Sequence, residues 1–174
     1  MNTESSDIST INAFIESLKH HNPNVRSAAV EKLVQSVPKT VQPLIDAFYN
    51  STDQTVQAYI VQALAQIANP EAVDLLAEVV GTEVANHCQG NVRRIAARGL
   101  GLIGSTSSNP ETLQPALQKL IWALTTPQDW GLRYAAAVSL QEISTPEANT
   151  ALQQALKQES DKVVQARIAA GVNS

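Results

Sequence analysis

Asp129-Trp130-Gly131-Leu132-Arg133-Tyr134-Ala135-Ala136-Ala137-Val138-Ser139-Leu140 is the stretch from which the fold can be read. Asp129 has the chemistry of a helix cap, because its carboxylate can accept from the orphan amides of a first helical turn. Leu132, Ala136, Leu140 and Ile143 then recur at helical spacing and mark one apolar face.

The same arrangement returns along the chain. Aligned on the first apolar residue, the anchors are Val25, Val56, Val92, Leu132 and Val164. Three positions before them stand Asn22, Asp53, Gln89, Asp129 and Asp161. One position after them stand Arg26, Gln57, Arg93, Arg133 and Gln165, a polar column expected to run as a ladder along one surface, with Arg133 beside Arg93. Eight positions after the first four anchors come Leu33, Leu64, Leu100 and Leu140, which set the core register. An amphipathic segment precedes each anchored helix: Ile8 to His20, Thr40 to Tyr49, Ala72 to Val79, Leu113 to Leu124 and Ala148 to Leu156. Asn22-Pro23 and Asn69-Pro70 punctuate the series.

An internal repeat of paired helices resembles the HEAT-type repeat family. The fold expected is all-α, a HEAT-like α-solenoid of about five helix pairs, with the second helices lining a concave face. The whole chain, 1–174, reads as one domain, with residues 1–7 expected to be disordered. Aromatics make up only 4% of residues, so the core must be small and aliphatic, which suits close helix packing. The net charge of −4 argues against a generic nucleic-acid binder, so any anion site must be local. A single cysteine, Cys88, excludes an internal disulfide. The polar, acidic N-terminus lacks the features of a signal peptide, and no run approaches a membrane span. The expectation is a soluble cytoplasmic protein.

The repeat breaks around one helix. Successive anchors are 31, 36, 40 and 32 residues apart, and the two long intervals flank Val92. Inserted loops are expected at about 81–91 and 104–112. Gln89 is also the one member of its column that is neither Asp nor Asn. Departures of a sequence from its own local rule concentrate at functional sites.

Asn86-His87-Cys88-Gln89-Gly90-Asn91 occupies the first of these breaks. A helix beginning near Val92 would favour the thiolate of Cys88 through its dipole, aided by Arg93, Arg94 and Arg98. His87 is the residue type suited to proton transfer near neutral pH. Adjacent helical positions point about 100° apart, so the two side chains can converge only in loop or turn geometry, which Gly90 makes available. From the residues alone, Cys88 reads more readily as a small buried hydrophobe, the commonest state of a lone cysteine. One cysteine and three scattered histidines give no metal-ligand spacing. The arginines also read two ways: as partners of neighbouring aspartates such as Asp129, or as a clamp for carboxylates. Trp130 and Tyr134 flank Arg133 and suit a flat organic ligand.

The run Asn86 to Gly101, together with Asp129-Trp130-Gly131-Leu132-Arg133-Tyr134-Ala135-Ala136, resembles the E/F-type phycobilin lyases of cyanobacteria. The Asn-His-Cys-Gln-Gly-Asn hexapeptide matches the isomerising branch. The resemblance implies a heterodimer with an E-type lyase subunit. It implies attachment of phycocyanobilin, as substrate and not as cofactor, to a cysteine of the apo-phycoerythrocyanin α subunit. It also implies Δ4 to Δ2 isomerisation to phycoviolobilin, with His87 and Cys88 as the catalytic pair. No nucleic-acid, membrane or metal partner is implied. The expected substrate-contacting residues are Asn86, Gln89, Asn91, Arg93, Arg94, Arg98, Asp129, Trp130, Arg133 and Tyr134. Four of the arginines would hold propionates, and the two aromatics would pack on a pyrrole ring. A lyase subunit that does not isomerise, and a protein-binding scaffold without chemistry, are the other readings.

Overall fold

A computed structural model describes residues 3–82, 87–125 and 128–172. Among the described residues the chain is helical with no strand, and the helices fall into five consecutive pairs. They form two compact units, one ending at Ala72 and one beginning at Val73.

The first unit holds two pairs. These are α1 (Thr3–Ser17) with α2 (Pro23–Gln35), and α3 (Val41–Asn50) with α4 (Gln54–Ile67), followed by a 3-10 turn at Pro70–Ala72. Leu18, Leu33, Leu44, Ile60 and Leu64 are fully buried in its core. The N-terminal segment expected to be disordered is helical from Thr3. Asp7 on α1 meets Lys39 at 2.6 Å. α4 ends with Ala68 in the left-handed region, φ 52°, just before Asn69-Pro70.

The second unit holds three pairs: α5 (Val73–Gly81) with α6 (His87–Thr106), α7 (Pro110–Thr125) with α8 (Trp130–Ile143), and α9 (Pro146–Leu156) with α10 (Lys162–Val172). Leu76, Leu100, Leu117, Leu120, Leu132, Leu140 and Ile168 form its core. All four residues of the leucine column are completely buried.

The cap column behaves as its chemistry requires. Asn22 accepts from the Asn24 amide at 2.9 Å and Asp53 from Thr55 at 2.7 Å. Asp129 accepts from Gly131 at 2.9 Å and Asp161 from Val163 at 2.9 Å. Gln89 is no cap. α6 opens at His87, two residues earlier, so Gln89 is already inside the helix. Glutamine is a better interior helix residue than Asn or Asp, and no proline interrupts 87–106.

The inserted loops are therefore shorter than expected. Residues 87–91 belong to α6, as do Gly104, Ser105 and Thr106. The Ser105 and Thr106 hydroxyls donate back to the Leu102 carbonyl at 3.0 and 3.1 Å, which carries the helix on. Only Ser107–Asn109 separate α6 from α7, and the Asn109 side chain accepts from the Glu111 amide at 3.0 Å. Of the extra residues, those at 87–91 and 104–106 have become helix.

The column after the anchors is also not a surface ladder. Arg26 donates to the His20 carbonyl at 2.7 Å, Gln57 to Ser51 at 2.8 Å and Arg93 to Val80 at 2.9 Å. Gln165 donates to the Glu159 carbonyl. Each side chain thus reaches back to a carbonyl near the end of the preceding helix, where carbonyls lack intrahelical donors. These four tie the two helices of a pair together, whereas Arg133, the fifth of the column, forks onto Glu159 ahead of the next helix.

α6 and α8 make the most extensive helix contact of the second unit. A Cβ on Gly101 would collide with the Ser139 side chain and backbone, so glycine is required for this approach. Ser139 is buried, and its hydroxyl donates to the Ala97 carbonyl at 3.0 Å.

Candidate ligand groove

The close seating of α6 on α8 brings the arginine-rich turn of one beside the aromatic turn of the other. α10 flanks α8 on the other side. Between the three second helices lies a groove of about 660 Å³, lined by Arg94, Arg98, Trp130, Gly131, Tyr134, Ala135, Val138, Val163 and Arg167. Its floor is apolar and its edges carry guanidinium groups. Trp130, half exposed, also borders a polar hollow of about 600 Å³ lined by Gln128, Arg133, Glu159 and Asp161 among others.

The arginines differ in what they meet. Arg94 grips Asp129 with two contacts, Nη2 to Oδ1 at 2.7 Å and Nε to Oδ2 at 3.3 Å. Its guanidinium carbon lies 6.0 Å from the Trp130 ring centre. Gly131 leaves the room for it, since a Cβ there would strike the guanidinium. Burial pushes the Asp129 carboxyl up, but the hydrogen bond and charge of Arg94, with the amides of Leu132 and Gly131, prevail and hold it below its ordinary value. Arg98 forks onto Glu142 at 2.9 and 2.6 Å and also donates to Ser139 Oγ at 2.9 Å.

Arg133 faces the polar hollow. It forks onto Glu159 at 2.8 and 3.0 Å. That hydrogen bond outweighs burial and keeps the Glu159 carboxyl below its usual range. Arg93 stands apart from the groove: it is buried, with Nε turned to the Val80 carbonyl. Burial lowers its pKa, partly offset by the charge of Asp129. Of the two readings of the arginines, pairing with carboxylates of the chain is the one present for Arg94, Arg98 and Arg133. Arg94 meets the aspartate singled out in the sequence. The other two meet Glu142 and Glu159, which the repeat pattern did not single out.

The remaining expected site residues lie at the start of α6. Asn86 and the side chains of His87 and Cys88 are outside the described residues. The backbone at 87 and 88 is the first turn of the helix, not a loop or turn. Position 87 is therefore in helical register with Asn91, Arg94 and Arg98, which lie four, seven and eleven residues on. Position 88 is rotated from that line by about 100°. Asn91 is exposed and Gln89 is partly buried. Trp130 and Tyr134 line the groove together with Arg94 and Arg98.

Val138, Val163 and Arg167 were not expected there. Tyr134 and Val138 stand two and six positions after Leu132, as Arg94 and Arg98 do after Val92. A column at those two offsets would have picked out the groove walls of α6 and α8.

An all-helical repeat protein with a ligand-sized, arginine-edged groove is the class that fold and site define. Residues 41–118 and 82–173 match the family of HEAT repeats. The chain is 62% identical over 169 residues to the bilin biosynthesis protein PecF of Nostoc sp., covering 97% of this chain and 98% of that protein. It is 57% identical to PecF of Mastigocladus laminosus, with 95% and 79% covered. It is 31% identical to the phycocyanobilin lyase subunit beta of Nostoc sp., with 93% and 82% covered. A chain of the solved complex of CpcE and CpcF of phycocyanin lyase from Nostoc sp. superposes with a TM-score of 0.81 at 29% identity, covering 94% of this chain and 98% of that one. The chain belongs to the PecF family of bilin biosynthesis proteins, within the HEAT-repeat proteins.

Proposed function

We propose that this chain is the F-type subunit of a heterodimeric bilin lyase/isomerase. With an E-type subunit it attaches phycocyanobilin to a cysteine of apo-phycoerythrocyanin α and converts the bound chromophore to phycoviolobilin. The work is done in the cyanobacterial cytoplasm during phycobilisome assembly; among the described residues no helix is long and apolar enough to cross a membrane. The observation that carries the reading is the groove between α6, α8 and α10, which pairs an apolar aromatic floor with guanidinium edges. A linear tetrapyrrole has the matching chemistry: flat conjugated rings and two carboxylates.

In this mechanism Trp130 and Tyr134 hold a pyrrole ring and the positive edge of the groove takes up the propionates. Arg93, turned away, serves the helix pair. The acceptor thiol adds across the ring A side-chain double bond: a carbon–sulfur bond forms, the proton goes to carbon, and no group leaves. Isomerisation also leaves composition unchanged: of the two protons lost at ring A carbons, one is regained at the ring A carbon next to the A–B methine bridge and one at the methine carbon itself. His87, in register with Asn91, Arg94 and Arg98, moves these protons. Cys88, one position on, adds as thiolate near the methine, breaks conjugation and is expelled again. Its place in the first turn of α6 favours the thiolate through the helix dipole.

Reconstitution tests the reading. This chain, an E-type subunit, apo-α subunit and phycocyanobilin are mixed, and the absorption of the protein-bound product is recorded. The expected product is a violobilin adduct, absorbing at shorter wavelength because its conjugation is shorter. A cyanobilin adduct, or no adduct, rejects it.

A further inference from the structure

Arg167 on α10 differs from the other arginines. Arg26 and Arg93 donate to backbone carbonyls, and Arg94, Arg98 and Arg133 fork onto carboxylates. Arg167 Nε is buried without a hydrogen-bond partner, as is Arg26 Nε, but Arg26 has its Nη1 bonds to compensate. Among the described residues its guanidinium makes no hydrogen bond or ion pair. It borders the groove beside Trp130, Tyr134, Val138 and Val163.

Arg167 is partly buried, and its one fully buried donor atom, Nε, is costly to leave unpaired, as its charge is to leave without a counter-charge. Asp129 and Glu142 supply that charge for Arg94 and Arg98, and nothing in the groove supplies it for Arg167. The uncompensated positive charge of the groove therefore sits at the α10 edge, across α8 from the arginine-rich turn of α6. We propose that Arg167 is the groove's anion-binding group, taking one carboxylate of the flat apolar ligand. On the function proposed above, on which this inference rests, that carboxylate is a bilin propionate. Arg94 and Arg98 keep their internal partners and shape the opposite wall.

The test compares phycocyanobilin with its dimethyl ester, which keeps the rings and removes both carboxylates. Binding to the full chain with an E-type subunit is followed by visible absorbance and tryptophan quenching. The wild type is expected to favour the diacid by about 10- to 100-fold, the range for hydrogen bonds to a charged group. Arg167→Gln should lose most of that preference with ester affinity unchanged. Arg167→Lys keeps a charge and an alkyl stem, and covers the case that glutamine unfolds the last helix. It should show a partial loss, because an ammonium cannot fork onto a carboxylate. If both variants keep the full preference, or the wild type binds ester and diacid equally, Arg167 is not the carboxylate site while bilin binding stands. If the wild type binds neither compound, the proposed function fails and this inference falls with it.

Discussion

Arg133 and Glu159 are 26 residues apart and meet in a two-pronged pair, Nε to Oε2 at 2.8 Å and Nη2 to Oε1 at 3.0 Å. The Glu159 side chain is only 5% exposed and that of Arg133 15%. The pair ties α8 to the turn before α10, where the Glu159 carboxylate also accepts from the Asp161 amide at 2.8 Å. Truncating Arg133 to alanine leaves a buried carboxylate without its cation, and a cost of about 3–5 kcal/mol is expected in urea unfolding.

The same pair predicts an acid limit. The folded-state pKa of Glu159 lies below its ordinary value of 4.5, chiefly through the Arg133 hydrogen bond. Its stabilisation is thus fully present above about pH 4.5 and is lost as pH falls through the folded-state value. Asp129, also held low, adds in the same direction. Thermal melts of wild type and Glu159→Gln should differ most at neutral pH, with the gap closing in the acid range. A gap that stays constant with pH would assign the effect to packing.

Gly101 and Gly131 should respond differently to alanine. At Gly101 the new Cβ meets the Ser139 backbone as well as its side chain, so α6 and α8 must separate. A loss of about 1–3 kcal/mol is expected. At Gly131 its nearest neighbours are atoms of the Arg94 guanidinium, the far end of a flexible chain 40% exposed. Gly131→Ala should cost within about 1 kcal/mol. Denaturant midpoints for the two variants check the order.

Asp129 has two roles that substitution can separate. It caps α8 through the Gly131 and Leu132 amides, and it pairs with Arg94. Asp129→Asn keeps the cap and loses the charge, whereas Asp129→Ala loses both. The alanine variant should be less stable than the asparagine one by about 1 kcal/mol, the value of a cap.

His87 and Cys88 are predicted to serve isomerisation and not attachment. His87→Gln or Cys88→Ser should slow formation of the violobilin chromophore by about 100-fold or more while a cyanobilin adduct still forms. Full isomerisation by Cys88→Ser would remove the covalent step and leave proton shuttling by His87.

What the sequence determined by itself is what neighbours in the chain decide. The caps Asn22, Asp53, Asp129 and Asp161 act on amides two or three residues away. The buried leucines follow from helical period alone. Family-level motifs at 86–101 and 129–136 carried the chemical class. The tertiary structure decided the rest, because it depends on residues distant in sequence. Arg94, Arg98 and Arg133 find their carboxylates 35, 44 and 26 residues away. No local pattern says which acid a guanidinium will meet. The helical start at His87 replaced an expected loop: no proline interrupts the segment, and Gly90, Gly99, Gly101 and Gly104 are all carried inside the helix despite their low propensity, which local sequence alone does not predict. Arg167 reaches the groove only because α10 packs on α8, and that packing left it without a carboxylate of its own.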